Sequence, residues 1–197
     1  MIQFKTNLNQ VFAPIIAKLE SPALADKVTR IVAVEMLGEL RSRIHQQGKA
    51  ADGGDIGQYS TKPLYVSVKN NVGRSFGAPL GKPNKNGKRF SKFASGKKEG
   101  QPHTSRYFER GYEGYKNAIG RNTIGKVNLS LSGQLDAQLT VVPTALGWGL
   151  GWQDAEKYQR AVALQDKKYR KKIWALTKEE AATAVATAER EVANAFS

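Results

Sequence analysis

Residues 145–152 read ALGWGLGW, with Gly147, Gly149 and Gly151 alternating with Trp148, Leu150 and Trp152. Two structures fit a glycine-rich stretch of this kind. A dinucleotide cradle needs its glycines where a strand closes and a helix opens, so that the helix N-terminus meets a pyrophosphate. A strand of period two instead sends the large side chains to one face and leaves the other face bare. The strict alternation here predicts the strand, and a bare face permits close backbone approach or sharp curvature. The search for function therefore starts without a nucleotide-dependent enzyme.

Working toward the N-terminus, Pro143-Thr144-Ala145 predicts a break. Before it, Leu135, Ala137, Leu139 and Val141 alternate, as do Val127, Leu129 and Leu131 with Lys126, Asn128, Ser130 and Ser132 between them. With Ser132-Gly133-Gln134 as the turn, the two runs predict a hairpin. Toward the C-terminus, Lys172–Leu176 (KIWAL) predicts a further strand. Thr177-Lys178-Glu179-Glu180 has the capping-box pattern of a helix start, and Ala181, Val185, Ala188, Val192 and Ala195 supply its buried stripe.

At the other end, Ser21-Pro22 opens a helix, serine as N-cap and proline at the first helical position. Leu24, Val28, Ile31, Val32, Leu37, Leu40 and Ile44 give it one apolar face, and it should stop near Gly48. A shorter helix is expected over Leu8–Leu19. The run ADGGDIGQYSTKP after Gly48 invites a calcium loop, but counting from Asp52 the third, fifth and twelfth ligand positions hold Gly54, Ile56 and Pro63, so a turn is expected. Leu64–Val68 predicts a short strand. Ser105 is read as the cap of a helix carrying Phe108, Tyr112, Tyr115 and Ile119; those rings could stack on bases, but their helical spacing favours packing.

The chain has 197 residues, 40% of them hydrophobic, no cysteine and a formal net charge of +14. Disulfides and thiolate chemistry are thereby excluded. No apolar run approaches the roughly 18 residues of a membrane span, and the polar start Met1–Asn9 predicts no secretory leader. The charge calls for acidic partners. Lys69, Arg74, Lys82, Lys85, Lys88, Arg89, Lys92, Lys97 and Lys98 follow one another with no acidic residue until Glu99. The segment 69–104, rich in Gly, Lys, Asn and Ser, carries too few apolar residues to offset an ordering entropy of about 1 kcal/mol per residue. It is expected to be a basic extended arm, inserted between residues 1–68 and residues 105–197 of one domain, and a loop of that length is a candidate contact element.

No catalytic set emerges. His45 and His103 sit near a helix end and in the basic arm, and the acidic pairs Glu179-Glu180 and Asp154/Glu156 fit helix starts better than a magnesium site. The expectation is a chain that is not an enzyme and takes no cofactor, metal or small-molecule substrate.

Three segments carry a family likeness: VNLSLSGQL (127–135), LGWGLGWQDAEKYQRAV (146–162) and KKIWALTKEEAATAV (171–185). Leu129, Ser132, Gly133 and Leu135 fit a Leu-x-x-(Ser/Thr)-Gly-x-Leu motif. Tyr158 fits an aromatic that closes a segment, and Lys171, Trp174, Leu176, Thr177 and Glu180 fit a basic-aromatic run opening the last helix. In these features the chain resembles the phage virion-morphogenesis family, the tail-completion or neck proteins of Mu-like phages. Arg43-Ile44, Asp52-Gly53 and Ser60-Thr61 match the N-terminal half in outline, while Gln58-Tyr59 and Arg160-Ala161-Val162 depart from its pattern.

The resemblance implies an α+β fold, a small antiparallel sheet of about four strands packed against helices. It further implies a structural virion protein, assembled in the bacterial host cytoplasm, that forms a ring at the head–tail junction between the portal-adaptor assembly and the tail. Copies of itself, portal or adaptor proteins and tail proteins would be its partners. The basic residues 69–98 and the last helix are the expected contacts, with packaged DNA a further partner for the arm, and Trp148 and Trp152 are expected to be core or interface anchors. The alternative is a sequence-nonspecific nucleic-acid-binding protein that grips phosphates with the same arm.

Overall fold

Ser21 does cap the first described helix: its hydroxyl accepts from the Leu24 N–H at 3.4 Å, and Pro22 occupies the first turn. The computed structural model describes residues 21–67, 79–121, 125–129 and 134–196; the expected Leu8–Leu19 helix lies outside them. The chain divides into two compact units, residues 1–57 with 128–197, and residues 58–127. The class is α+β, with five helices and two antiparallel strand pairs among the described residues.

In the first unit, α1 (Pro22–Arg41) runs on into a π-helical turn to Gln46. Its buried side is Val28, Thr29, Val32, Ala33, Met36 and Leu40; of the stripe read from the sequence, Val28, Val32, Leu40 and Ile44 are buried, while Leu24, Ile31 and Leu37 are half-buried. Within the same unit, a one-turn helix (Gln134–Gln138) leads directly into a strand (Leu139–Thr144) that pairs with Gly147–Trp152 in the register Leu139↔Trp152 to Thr144↔Gly147. The glycine-tryptophan strand is thus a strand, as its period predicts. Ala155–Val162 forms a further helix, and Lys178–Ala195 the last one.

Glycine at 147 is required twice over. Its φ is 107°, and a Cβ there would run into the Thr29 side chain of α1. The space goes to a bond instead, the Trp148 N–H donating to Thr29 Oγ1 at 3.2 Å. The other face of the strand reaches the core, where Trp152 is fully buried and meets Trp174 edge to face at 5.0 Å.

Several elements differ from the sequence reading. Leu135 to Gln138 is helical rather than the second arm of a hairpin; of that hairpin's first arm, Leu131 and the turn at Ser132-Gly133 lie outside the described residues. Residues 172–176 are irregular, because their backbone is bonded by side chains and a loop instead of a neighbouring strand. Arg43 donates to the carbonyls of Ile173 and Ala175, the Ile173 N–H donates to Gln165 Oε1, and the Ala51 N–H donates to the Lys172 carbonyl. The last helix is capped as expected, Thr177 Oγ1 accepting from the Glu180 N–H and Glu180 Oε2 from the Thr177 N–H. Its buried stripe is rotated from the predicted one to Glu180, Ala184, Thr187 and Ala188, leaving Ala195 exposed.

In the second unit, β1 (Leu64–Ser67) pairs antiparallel with β2 (Ser105–Phe108), so Ser105 opens a strand rather than a helix. The helix begins at Gly111 and runs to Ala118 as α2. In chain order the remaining elements are α3 (Gln134–Gln138), β3 (Leu139–Thr144), β4 (Gly147–Trp152), α4 (Ala155–Val162) and α5 (Lys178–Ala195). Gly111 has φ 55°, and a Cβ there would strike the carbonyl oxygens of Lys62 and Ser60. The strands among the described residues form two separate antiparallel pairs, and only those at 64–67, 139–144 and 147–152 coincide with strands read from the sequence.

The rings of Tyr59, Tyr112, Tyr115 and Phe108 form a chain with centroids 5.5, 5.8 and 5.6 Å apart. Phe108 and Tyr115 are buried, so these aromatics are core rather than a stacking platform. Lys116 is buried among them, its ammonium 5.2 Å from the Tyr59 ring centroid. Burial, with Arg121 nearby, lowers its pKa to about 8, while burial and then Tyr59 and Tyr115 push Tyr112 up to about 12. Between pH 8 and 10 the unfolded chain carries a proton on Lys116 that the folded unit does not, so stability rises with pH. Above pH 10 the unfolded chain loses the Tyr112 proton that the folded unit keeps, and stability falls. The urea stability of this unit should gain on the order of 2 kcal/mol between pH 8 and 10 at ~1.4 kcal/mol per pKa unit, and Lys116→Met should abolish that rise.

Candidate functional site

The described part of the basic segment, residues 79–104, contains two closed turns mounted on β2. In the first, the Gly81 N–H donates to the Phe90 carbonyl at 3.0 Å and the Asn84 N–H to the Lys88 carbonyl at 2.9 Å. The Asn84 side chain closes its tip, Oδ1 accepting from the N–H groups of Asn86 and Lys88 at 3.0 and 2.9 Å. In the second, the N–H groups of Phe93 and Gly100 donate to the carbonyls of Gln101 and Phe93, with Gly96 and Gly100 at positive φ.

At the base, the Tyr107 N–H of β2 donates to the Leu80 carbonyl at 2.8 Å, and His103 stacks on Phe93 with centroids 4.0 Å apart. A Cβ on Gly81 would come within 2.5 Å of His103 Nε2, which fixes glycine there. Asparagine side chains and glycines thus satisfy the backbone locally, and a segment with little apolar surface still holds a shape.

The lysines stand outward on this scaffold. Lys82, Lys85, Lys88, Lys92, Lys97 and Lys98 are all exposed. None lies within ion-pairing distance of a carboxylate among the described residues; Lys88 and Lys98 rest over the rings of Phe90 and Phe93 at 5.6 and 5.9 Å. Arg89 differs: half-buried, it donates to the Tyr107 carbonyl at 3.1 Å and lies 3.9 Å from Glu109, so it holds the loop to β2. Lys69 and Arg74 lie outside the described residues.

The two tryptophans belong to the other unit. Trp152 is an anchor of its core, with its indole N–H donating to the Leu135 carbonyl at 3.2 Å. Trp148 is half-buried on α1, its indole N–H on Asp26 at 2.8 Å and Arg30 over its ring at 5.1 Å.

The acidic pairs weighed for magnesium are occupied at helix starts. Asp154 Oδ1 accepts from the N–H groups of Glu156 and Lys157 at 2.7 and 3.2 Å. Glu179 is held below the usual carboxylate range by a backbone N–H and by Thr177. Among the described residues no three His, Cys, Asp or Glu side chains are grouped to share a metal ion. His45 Nδ1 lies 2.8 Å from the Asn128 carbonyl. No helix among the described residues is long and apolar enough to cross a membrane.

One polar cluster was hidden from sequence reading. Arg43 and Glu180, 6% and 8% exposed, form an ion pair at 2.7 Å. Arg43 also donates to the carbonyls of Lys49, Ile173 and Ala175, tying α1, the turn after it, the irregular segment and α5 together. The partners are 137 positions apart, and only the local half of Glu180's role, the capping box, has a sequence signature. Compared with known proteins, the chain matches no protein-family model, no curated protein and no solved structure.

Proposed function

We propose that this chain is a structural protein of a tailed-phage virion, one subunit of a ring that joins head to tail. The observation that carries the reading is the meeting, in one core, of the three segments in which the family likeness resides. Leu135 of the first accepts the Trp152 indole of the second. Trp152 and Tyr158 lie 6.3 Å apart, Trp174 of the third packs on Trp152, and the Trp174 indole N–H returns to the Ala161 carbonyl at 3.2 Å.

A closed ring needs two different complementary patches on each subunit. The first unit offers exposed apolar surface on α1 and just beyond α5, Val34 at 56% and Phe196 at 79% exposure, and exposed Ala182, Ala186 and Ala193 let a neighbouring subunit approach α5 closely. Deleting the reading frame from the phage should leave heads and tails unjoined in the lysate, with the joint restored by the gene in trans. Complete, infectious particles from the deletion would contradict the proposal.

A further inference from the structure

We infer that the double turn of residues 79–104 is a binding surface for the phosphate backbone of duplex DNA, independent of sequence. Nothing in this inference depends on the ring, so each can fail alone.

Charge is the first argument. Lys82, Lys85, Lys88, Lys92, Lys97 and Lys98 are exposed and without a carboxylate partner among the described residues, while Glu99 is the one acidic residue from 79 to 104. Cations not neutralised by a carboxylate on a folded scaffold are available to replace the counterions condensed on a polyanion.

Shape is the second. Asn84, Gly87, Gly96 and Gly100 close the turns through their own hydrogen bonds and backbone conformation, so the lysine-bearing backbone is ordered before any partner arrives. Less ordering entropy is then lost on contact than a disordered basic tail would lose.

Composition separates the candidate partners. The buried centre of a protein–protein interface is depleted in lysine and built on apolar and aromatic anchors. The double turn offers the reverse, with Phe90, 38% exposed, its one exposed large hydrophobic residue. A single-strand binder needs a succession of stacking rings, and one ring does not supply it. Lysine without aromatic anchors fits contact with phosphates along a duplex.

The test is fluorescence anisotropy of the full chain with a 30-base-pair duplex of arbitrary sequence. If the lysines neutralise about five phosphates, affinity should fall about 10²–10³-fold between 50 and 200 mM salt, with little change between sequences. The variant Lys85→Glu/Lys88→Glu/Lys97→Glu/Lys98→Glu should lose at least about 100-fold in affinity and flatten the salt slope, with an unchanged circular dichroism spectrum. A control of equal charge, Lys27→Glu/Lys167→Glu/Lys168→Glu/Lys178→Glu, carries its reversals at exposed sites in the other unit. It should bind within about threefold of the unaltered chain, because contact contributions dominate over net charge. Equal losses in both variants, salt-insensitive binding or no binding would overturn the inference. So would tighter binding to phosphatidylserine vesicles or to polyglutamate than to the duplex.

Discussion

Arg43→Met is expected to destabilise the first unit by about 3–5 kcal/mol, the cost of removing one partner from a buried ion pair. The reason is what stays behind. Glu180 remains buried, its Oε2 still accepting the Thr177 N–H but its Oε1 without the guanidinium that sat 2.7 Å away. The carbonyls of Lys49, Ile173 and Ala175 lose their donor as well. Each buried acceptor left unmade costs about 1–3 kcal/mol.

Glu180→Met should also be costly, since it leaves a buried guanidinium whose charge is no longer balanced and removes half of the capping box. Elsewhere, replacing both members of a buried pair with apolar residues is often neutral. Here the double variant should recover only part of the loss, because Arg43 serves three carbonyls besides Glu180. Urea unfolding followed by tryptophan fluorescence measures this directly, all three tryptophans being in the first unit. A double variant as stable as the unaltered chain would show that the carbonyl bonds carry no weight.

Gly147→Ala should cost about 3–5 kcal/mol. Backbone strain at a φ that L residues rarely adopt contributes about 1–3 kcal/mol, and overpacking against the Thr29 side chain contributes a similar amount. The added methyl also displaces Thr29 Oγ1 from the Trp148 N–H, worth about 1 kcal/mol. Thr29→Ala in the same chain removes the contacts with Oγ1 and Cγ2 but leaves the Cβ of residue 29 at 3.0 Å and the backbone strain. The two substitutions together should therefore destabilise by at least about 1 kcal/mol less than the sum of each alone, the non-additivity of residues in contact. Additive costs would place the whole effect in the backbone.

What could be read from the sequence was local. The Ser21-Pro22 start, the Thr177 capping box and the period-two strand at 147–152 each follow from side chains acting within a few residues of themselves. The errors arose where one local pattern fits two structures. Leu135 and Leu139 satisfy both an alternating strand and a helical step of four, and five residues cannot separate the two periods. At Ser105 a plausible helix cap was outweighed by the antiparallel pairing of Arg106, Tyr107 and Phe108 with Val66, Tyr65 and Leu64, 40, 42 and 44 positions earlier. Gly111, at positive φ, moves the helix start to the far side of that strand.

The KIWAL segment has the apolar spacing of a strand, but its backbone partners are the Arg43 and Gln165 side chains, which no periodicity reports. Composition likewise undervalued residues 79–104, since asparagine and glycine can close turns without an apolar core. The exposure of the six lysines followed from sequence. Their presentation on two hydrogen-bonded turns, and the diversion of Arg89 to the Tyr107 carbonyl, did not.

The proposed place of this chain in a virion is tested most directly by electron cryo-microscopy of the intact particle at side-chain resolution. The expected result is a ring of density at the head–tail junction into which the first unit fits with Trp152, Trp174 and the Arg43–Glu180 pair resolved, adjacent copies meeting through two different faces. Neck density traced completely by other chains, with no copy of this one in the particle, would contradict it.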